Sequence, residues 1–148
     1  MIRNYSIEDK SKIIDLLIQN TPEYFDPAEQ QDLSHYLDTK VEDYFVYEEH
    51  SKILGAGGIN YILGDHLARI SWDLVTPEMQ GKGIGKALMH HRIKHINRKP
   101  NIQMISVRTS QLAYKFYEKF GFKLVSVEKD YWAKNFDLYQ LEMKNRTV

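Results

Sequence analysis

The stretch Gln80-Gly81-Lys82-Gly83-Ile84-Gly85-Lys86 places three glycines at alternate positions, with two lysines among them. Leu67 to Val75 before it reads as a strand, and Ile84, Ala87, Leu88 and His91 after it recur at helical spacing. The glycines therefore fall in a strand-to-helix turn. The first backbone N–H groups of a helix have no internal partner, and the helix dipole favours negative charge beside them. Glycine lets an anion come close to those groups, since a Cβ would hold it away. The chemistry suited to this turn is phosphate or pyrophosphate binding, with Lys82 and Lys86 adding charge. The glycine spacing is not that of the dinucleotide fingerprint. Nor is this a P-loop, because Ala87 follows Lys86 where Ser or Thr is required.

A metal is a poor alternative. His91 and His95 stand one helical turn apart with His90 beside them, yet no motif supplies a third protein ligand for zinc. The three histidines fit a partly solvated helix face near the phosphates, and no metal is expected.

The elements that must position this turn follow from patterning. Ile2 to Tyr5 reads as a short strand. Ser6 with Asp9 three residues on approximates a capping box for a helix carrying Ile13, Ile14, Leu17 and Ile18. A second helix is predicted from Asp26 as N-cap with Pro27 at its first position, burying Leu33, Tyr36 and Leu37. Tyr44 to Tyr47, Ile53 to Leu63 and Leu67 to Val75 form a predicted three-strand meander. Gly55, Gly57 and Gly58 in its middle strand mark a bulge or a close approach of another backbone. A helix from Ile84 to about Asn97 and a strand over 102–107 follow. Ser110 or Thr109 caps the next helix, whose Ala113, Phe116, Tyr117 and Phe120 share a face before Gly121 ends it. Phe122 to Val127 and Phe136 to Met143 close the sheet, joined through 130–135. The expectation is one α/β (α+β) domain over residues 1–148.

Composition narrows the function classes. At 148 residues the chain can bury a substantial core, and its formal net charge of zero argues against nucleic acid as a partner. With no cysteine, thiolate catalysis, disulfides and sulfur-ligated metals are all excluded. The longest apolar runs are strand-sized, so no membrane association and a cytoplasmic location are expected.

Two segments carry a family resemblance. Gln80 followed by Gly83 and Gly85, with Pro77 upstream, resembles the acetyl-coenzyme A pyrophosphate loop of the GCN5-related N-acetyltransferases. Ala113-Tyr114-Lys115-Phe116-Tyr117-Glu118-Lys119-Phe120-Gly121-Phe122 resembles that family's second segment, in which alanine is followed by Phe-Tyr and then Gly-Phe. The two stand in the right order, and the predicted elements match the family fold over essentially the whole chain. The resemblance implies a mixed central sheet with a splayed strand pair and about four flanking helices. It implies transfer of the acetyl group of acetyl-CoA to a primary amine by direct attack in a ternary complex, without metal or covalent enzyme intermediate.

Residue by residue, the resemblance puts Leu74 and Val75 beside the thioester, with the Val75 N–H as oxyanion donor. It gives the pyrophosphate to the backbone of Gly81, Lys82, Gly83, Ile84, Gly85 and Lys86. Gln80 stands where many members have Arg, which keeps a donor and loses a charge. Ser110 stands where the family often has an Asn that bonds the pantetheine arm. Tyr117 resembles the general acid that protonates the leaving thiolate; otherwise it is a core aromatic. An amine acceptor must lose a proton, and Asp73, alternating with Ser71 and Val75 on one strand face, is the candidate base, with Glu78 or ordered water as alternatives. Tyr24, Phe25, Tyr36, Tyr44 and Phe45 are candidates for lining the acceptor pocket, although most of them fit the core better, and Tyr131 and Trp132 in the last loop are the better exposed candidates. The acceptor is a small amine or a peptide. Alternatives are a protein N-terminal or lysine acetyltransferase, since 130–139 resembles the ribosomal-protein acetylating members, and a non-catalytic acetyl-CoA-binding module. A homodimer is compatible with the family's habit.

Overall fold

The computed structural model describes residues 1–146. In chain order its elements are β1 (Ile2–Asn4), α1 (Lys10–Gln19), α2 (Glu29–Thr39), β2 (Asp43–Glu49), β3 (Lys52–Ile62) and β4 (Leu67–Val75). Then come α3 (Ile84–Asn97), β5 (Met104–Thr109), α4 (Tyr114–Glu118), β6 (Lys123–Ala133) and β7 (Phe136–Lys144). The strands form one mixed sheet of seven in the order β1-β2-β3-β4-β5-β7-β6, in which β4 and β5 run parallel. Two apolar layers sandwich it. Ile13 and Leu17 of α1 and Leu33 and Leu37 of α2 pack with Val46, Ala56 and Leu74 on one face. Leu88, Met89 and Ile96 of α3 pack with Ile59, Ile70 and Ile105 on the other.

Local signals explain most boundaries. The Ser6 N–H donates to Asp9 Oδ2 at 2.9 Å, as the capping box requires. At α2 the Ala28 N–H donates to Asp26 Oδ2 and the Asp26 N–H to Glu29 Oε2, both at 2.9 Å. Asp26 is thus the cap expected, although regular helix begins at Glu29.

Three expectations are corrected. On α1 the buried stripe is Ile13, Leu16 and Leu17, while Ile18 is exposed. The segment expected to link the last two strands is mostly strand: β6 runs to Ala133, which pairs with Phe136, and the turn is Lys134-Asn135. Asp130 makes this feasible, because its Oδ1 accepts the Asn135 N–H at 2.8 Å. Lastly, α4 is only five residues long. The Ser110 carbonyl takes the Ala113 and Tyr114 N–H groups, forming a turn before the helix, and Gly121 at φ 102° turns the chain out after it.

Two irregularities in β4 shape the site. Between the pairs Ala56↔Leu74 and Gly58↔Ser71 it carries one residue more than β3, and Trp72 there adopts φ 49°. This bulge reverses the alternation of side chains. Ser71, which donates to Asn60 Oδ1 alongside Tyr36, lies on the α2 side. Asp73 lies on the α3 side, so it shares a face with Val75 and not, as expected, with Ser71. The second irregularity is divergence: β4–β5 pairing ends at Ile70↔Val107, while β4 continues to Val75. Beyond Val107, β5 stays paired with β7. The splayed pair is therefore present. Among the described residues no helix is long and apolar enough to cross a membrane.

Candidate active site

A cleft of about 1370 Å³ opens where β4 and β5 diverge and runs from the start of α3 to the C-terminal end of α2. At its first end, Gly81, Gly83, Gly85 and Lys86 line the wall. Gly83 caps α3 in a left-handed conformation, φ 91°, and a Cβ there would meet no protein atom within 4 Å. Glycine is needed for the backbone angle, and the space beside it is open to a ligand. With fourteen residues, α3 is long enough to present a full first turn of N–H donors. The residues expected to hold a diphosphate are thus mostly together, and a diphosphate fits them.

Several members of that set behave differently. Lys82 is exposed outside the cleft lining, and its N–H donates to Met79 O at 3.3 Å. Ile84 buries its side chain in the core and offers only its N–H. Gly85 is a packing glycine, with its Cβ position 3.3 Å from the Phe116 ring. Gln80 turns inward: its Nε2 donates to Asn20 Oδ1 at 2.8 Å, and Asn20 Nδ2 donates to Val75 O at 3.0 Å. Its amide thus braces the strand end through Asn20, a buried residue just past the end of α1. Ser110 lines the cleft, and its Oγ accepts the Leu112 N–H at 3.2 Å, leaving its own proton to donate.

At the middle of the cleft the strand edge is selective. The Thr76 N–H bonds Leu54 O at 2.9 Å, so ladder alternation turns the Leu74 backbone toward Ala56 and the Val75 N–H away from β3, into the divergence. Leu74, expected beside the thioester as an equal of Val75, instead buries its side chain against α1 and α2.

Opposite Val75, Tyr117 donates its hydroxyl to Asp73 Oδ2 at 2.6 Å. The other Asp73 oxygen meets the Arg92 guanidinium. Arg92 is 0% exposed and also donates to Leu88 O and Gly58 O, each at 3.2 Å. The glycines of β3 explain how this group fits. A Cβ on Gly57 would collide with Asp73 Oδ1 and stand 2.7 Å from Arg92 Nη1. The close approach expected at these glycines is therefore by side chains, not by another backbone. Burial holds the Tyr117 pKa well above the usual 10, with the Asp73 charge and hydrogen bond adding to it and Arg92 opposing it. Arg92 was not singled out from the sequence, yet a signal existed: it sits on the apolar stripe of α3 with Leu88, Met89 and Ile96.

The far end is aromatic. Tyr24, Phe25 and Tyr36 line it, and Phe25 stacks on Trp72 of the bulge at 6.3 Å and 23°. Burial pushes the Tyr36 phenol up to about 12. Tyr44 and Phe45 are core residues at 3% and 4% exposure, the reading expected for most of this aromatic set, although the Tyr44 hydroxyl supports the bulge by donating to Trp72 O at 2.8 Å. Glu29, 9% exposed, also lines this end, and burial raises its carboxyl above the usual 4.5. Glu78 lies outside the cleft lining. His90 lines the first end against Phe120, whereas His91 and His95 pack on Phe45 at 4.6 and 5.7 Å.

Comparison with known proteins agrees with this geometry. The family model described as acetyltransferase (GNAT) domain matches residues 9–144. No curated protein matches. Among solved structures, the ribosomal-protein-S18-alanine N-acetyltransferase of Escherichia coli superposes with a TM-score of 0.83 at 15% identity, over 100% of this chain and 95% of the other. An N-acetyltransferase from Staphylococcus aureus Mu50 gives 0.77 at 22%, covering 97% of each chain. An aminoglycoside 6'-N-acetyltransferase complexed with coenzyme A gives 0.76 at 16%, over 97% of this chain and 96% of the other. At these identities the structures establish the fold, and the family match over nearly the whole chain adds the activity class: the chain belongs to the GNAT acetyltransferases, enzymes that transfer an acetyl group from acetyl-CoA to an amine.

Proposed function

We propose that the protein acetylates the primary amine of a small molecule or short peptide by direct attack in a ternary complex. The observation that carries this reading is that one cleft joins the α3 N-terminus, the unpaired Val75 edge and the Tyr117 hydroxyl. When bound there, acetyl-CoA supplies the activated acetyl thioester. The N–H groups of Gly81, Gly83, Ile84, Gly85 and Lys86 hold the diphosphate, Ser110 donates to the pantetheine arm, and the Val75 N–H faces the developing oxyanion.

Tyr117 acts on the leaving sulfur. A phenol, of ordinary pKa about 10 and held higher here by burial, is a weaker acid than an alkyl thiol, so giving its proton outright to the thiolate is uphill. The hydroxyl therefore works best as a hydrogen-bond donor to the thiolate, its single proton turning from Asp73 to the sulfur as charge develops there, while the proton that finally neutralises the thiolate is the one the amine nitrogen loses after the C–N bond has formed. Asp73 has both oxygens engaged, by Arg92 and by Tyr117, which makes it a positioning residue for the phenol and a poor base. Glu29 is the other carboxylate in the cleft, and its raised pKa is the direction that strengthens a base. We assign it the first of the amine's two protons, the one the ammonium loses before attack, taken directly or through water and passed on to solvent; the second, lost after the C–N bond forms, goes to the thiolate.

The test is thiol release from acetyl-CoA with a panel of amines, beside thermal unfolding. Saturating acetyl-CoA must raise the melting temperature, since a ligand at a hundred times its Kd stabilises the folded state by about 2.7 kcal/mol. Stabilisation without thiol release from any amine would turn the reading into that of a binding module.

A further inference from the structure

The acceptor end of the cleft holds positive charge without counter-ions. Arg69 of β4 and Arg108 of β5 both line it. Neither takes part in an ion pair among the described residues. They are neighbours on the α2 face of the sheet: Arg69 pairs in register with Ser106, two residues before Arg108, while Ile70 and Val107 point to the opposite core. Burial lowers the Arg69 pKa, and the charge of Arg108 lowers it further.

The two arginines are held differently. Arg108 is fixed: it donates to the Tyr131 hydroxyl at 2.7 Å, and its guanidinium lies 5.1 Å and 5.7 Å from the Tyr131 and Trp132 rings. Trp132 is itself anchored by Nε1 donating to Thr109 O at 3.0 Å. Arg69 is not: its Nε is shielded from solvent and donates to nothing. Two adjacent guanidiniums, partly desolvated and with one N–H orphaned, are unfavourable unless an anion joins them. Arginine suits that task because its planar fork matches a carboxylate's two oxygens.

We propose that Arg69 and Arg108 bind a carboxylate of the acceptor, so that the amine acetylated here belongs to a carboxylate-bearing molecule. The proposal rests on the amine-acetylation reading above. Spacing limits the class further. The last β4–β5 pair is Ile70↔Val107, so Arg108 lies one residue past the end of the pairing, and from the corresponding point on β4, Ser71, to Val75 is about 10 Å along the bulged strand. The reacting amine and its carboxylate are therefore several bonds apart. A short peptide with a free C-terminus, or a diamino acid reacting at its side-chain amine, spans that distance; an α-amino acid reacting at its own α-amine does not. Glu29 on the facing wall completes a site for a zwitterion, with the anion at the arginines and the amine near the carboxylate.

Two measurements test this. In the first, glutarate, a dicarboxylate without an amine, is titrated into the coenzyme A complex while tryptophan fluorescence is followed; Trp132, one of two tryptophans, lies beside Arg108. A saturable response is expected, weakened tenfold or more by Arg69→Gln and by Arg108→Gln and less by Arg108→Lys. A melting-temperature rise with coenzyme A shows that each variant is folded. In the second, thiol release is compared between triglycine and its amide, and between lysine and cadaverine. The carboxylate form should lead by tenfold or more in kcat/KM, and either Gln substitution should cut that lead at least tenfold. No glutarate response in the wild type, equal use of acid and amide, or a lead that survives both substitutions overturns the proposal. Glutarate binding that depends on both arginines, with no thiol release from any amine, upholds the anion site and sinks the amine-acetylation reading instead.

Discussion

The two ends of the cleft are built from different materials. At the end we assign to acetyl-CoA, the proposed recognition lies in the backbone: one contiguous turn, 80–86, aims the N–H groups of a helix start into open space, and side chains contribute little beyond Lys86. At the acceptor end it lies in side chains that come from α2, β4, β5 and β6, with Glu29, Trp72, Arg69, Arg108 and Trp132 brought together by the sheet. Backbone recognition tolerates sequence change provided the conformation survives, so it can serve one invariant ligand. Side-chain recognition changes with each substitution, and it is where one member of a fold acquires its own substrate. Between the two lies the Arg92–Asp73–Tyr117 group, which uses side chains but buries two of them, Arg92 and Tyr117, as a core would.

Perturbations should separate these regions. The largest effect is expected at the centre. Arg92→Met leaves Asp73, whose side chain is 20% exposed to the cleft, without its buried cation, which should cost about 3 kcal/mol in urea or thermal unfolding, the lower end of the range for a buried pair. A loss under 1 kcal/mol would mean that the ion pair does not hold the centre together. Next comes Glu29→Gln, expected to lower kcat/KM about a hundredfold as a lost base. Its stability should move the other way. Folding raises the Glu29 carboxyl above its usual 4.5, so the folded state pays nothing below that pH and loses stability as pH rises through the raised value. The Gln variant should therefore melt higher than wild type at pH 8 and equally at pH 4, and a reversed order would contradict the burial argument.

At the donor end the contrast is between backbone and charge. Gly83→Val forces a β-branched residue to φ 91° and should weaken acetyl-CoA binding about tenfold or more, at a cost of about 1–2 kcal/mol in stability. Lys86→Ala, which deletes charge and leaves the turn intact, should raise the KM for acetyl-CoA only a few-fold, and that effect should fade with added salt. If Lys86→Ala proved the more damaging of the two, the donor end would be an electrostatic site and the contrast with the acceptor end would collapse.

What could be read from the sequence follows the same division. The glycine turn, the Phe-Tyr pair of α4 and the bounds of β4 and α3 are contiguous signals, and they survive almost unchanged in the structure. The bulge at Trp72 is not such a signal, because Leu67 to Val75 reads as one alternating strand and only pairing with β3 reveals the extra residue. Asp73 was consequently found for the right position and the wrong neighbours. Arg92 was legible in principle, as an arginine on an apolar helix stripe, but its meaning depends on Gly57 two elements away. The pairing of Arg69 with Arg108 requires the parallel register of β4 and β5, which no local pattern encodes. Tyr44 and Phe45 are core, as most of their aromatic set was expected to be, because an aromatic in a central strand is buried on either face.

The central claim is that Tyr117, positioned by Asp73 until its proton turns to the sulfur, stabilises the departing thiolate in a cleft that binds acetyl-CoA independently of it. It is tested most directly by Tyr117→Phe, comparing thiol release with the rise in melting temperature that acetyl-CoA produces. The account predicts a fall in kcat of about a hundredfold, the scale of a lost hydrogen bond to a charged group, with the thermal shift preserved. Undiminished kcat in a folded variant that still binds acetyl-CoA would contradict it.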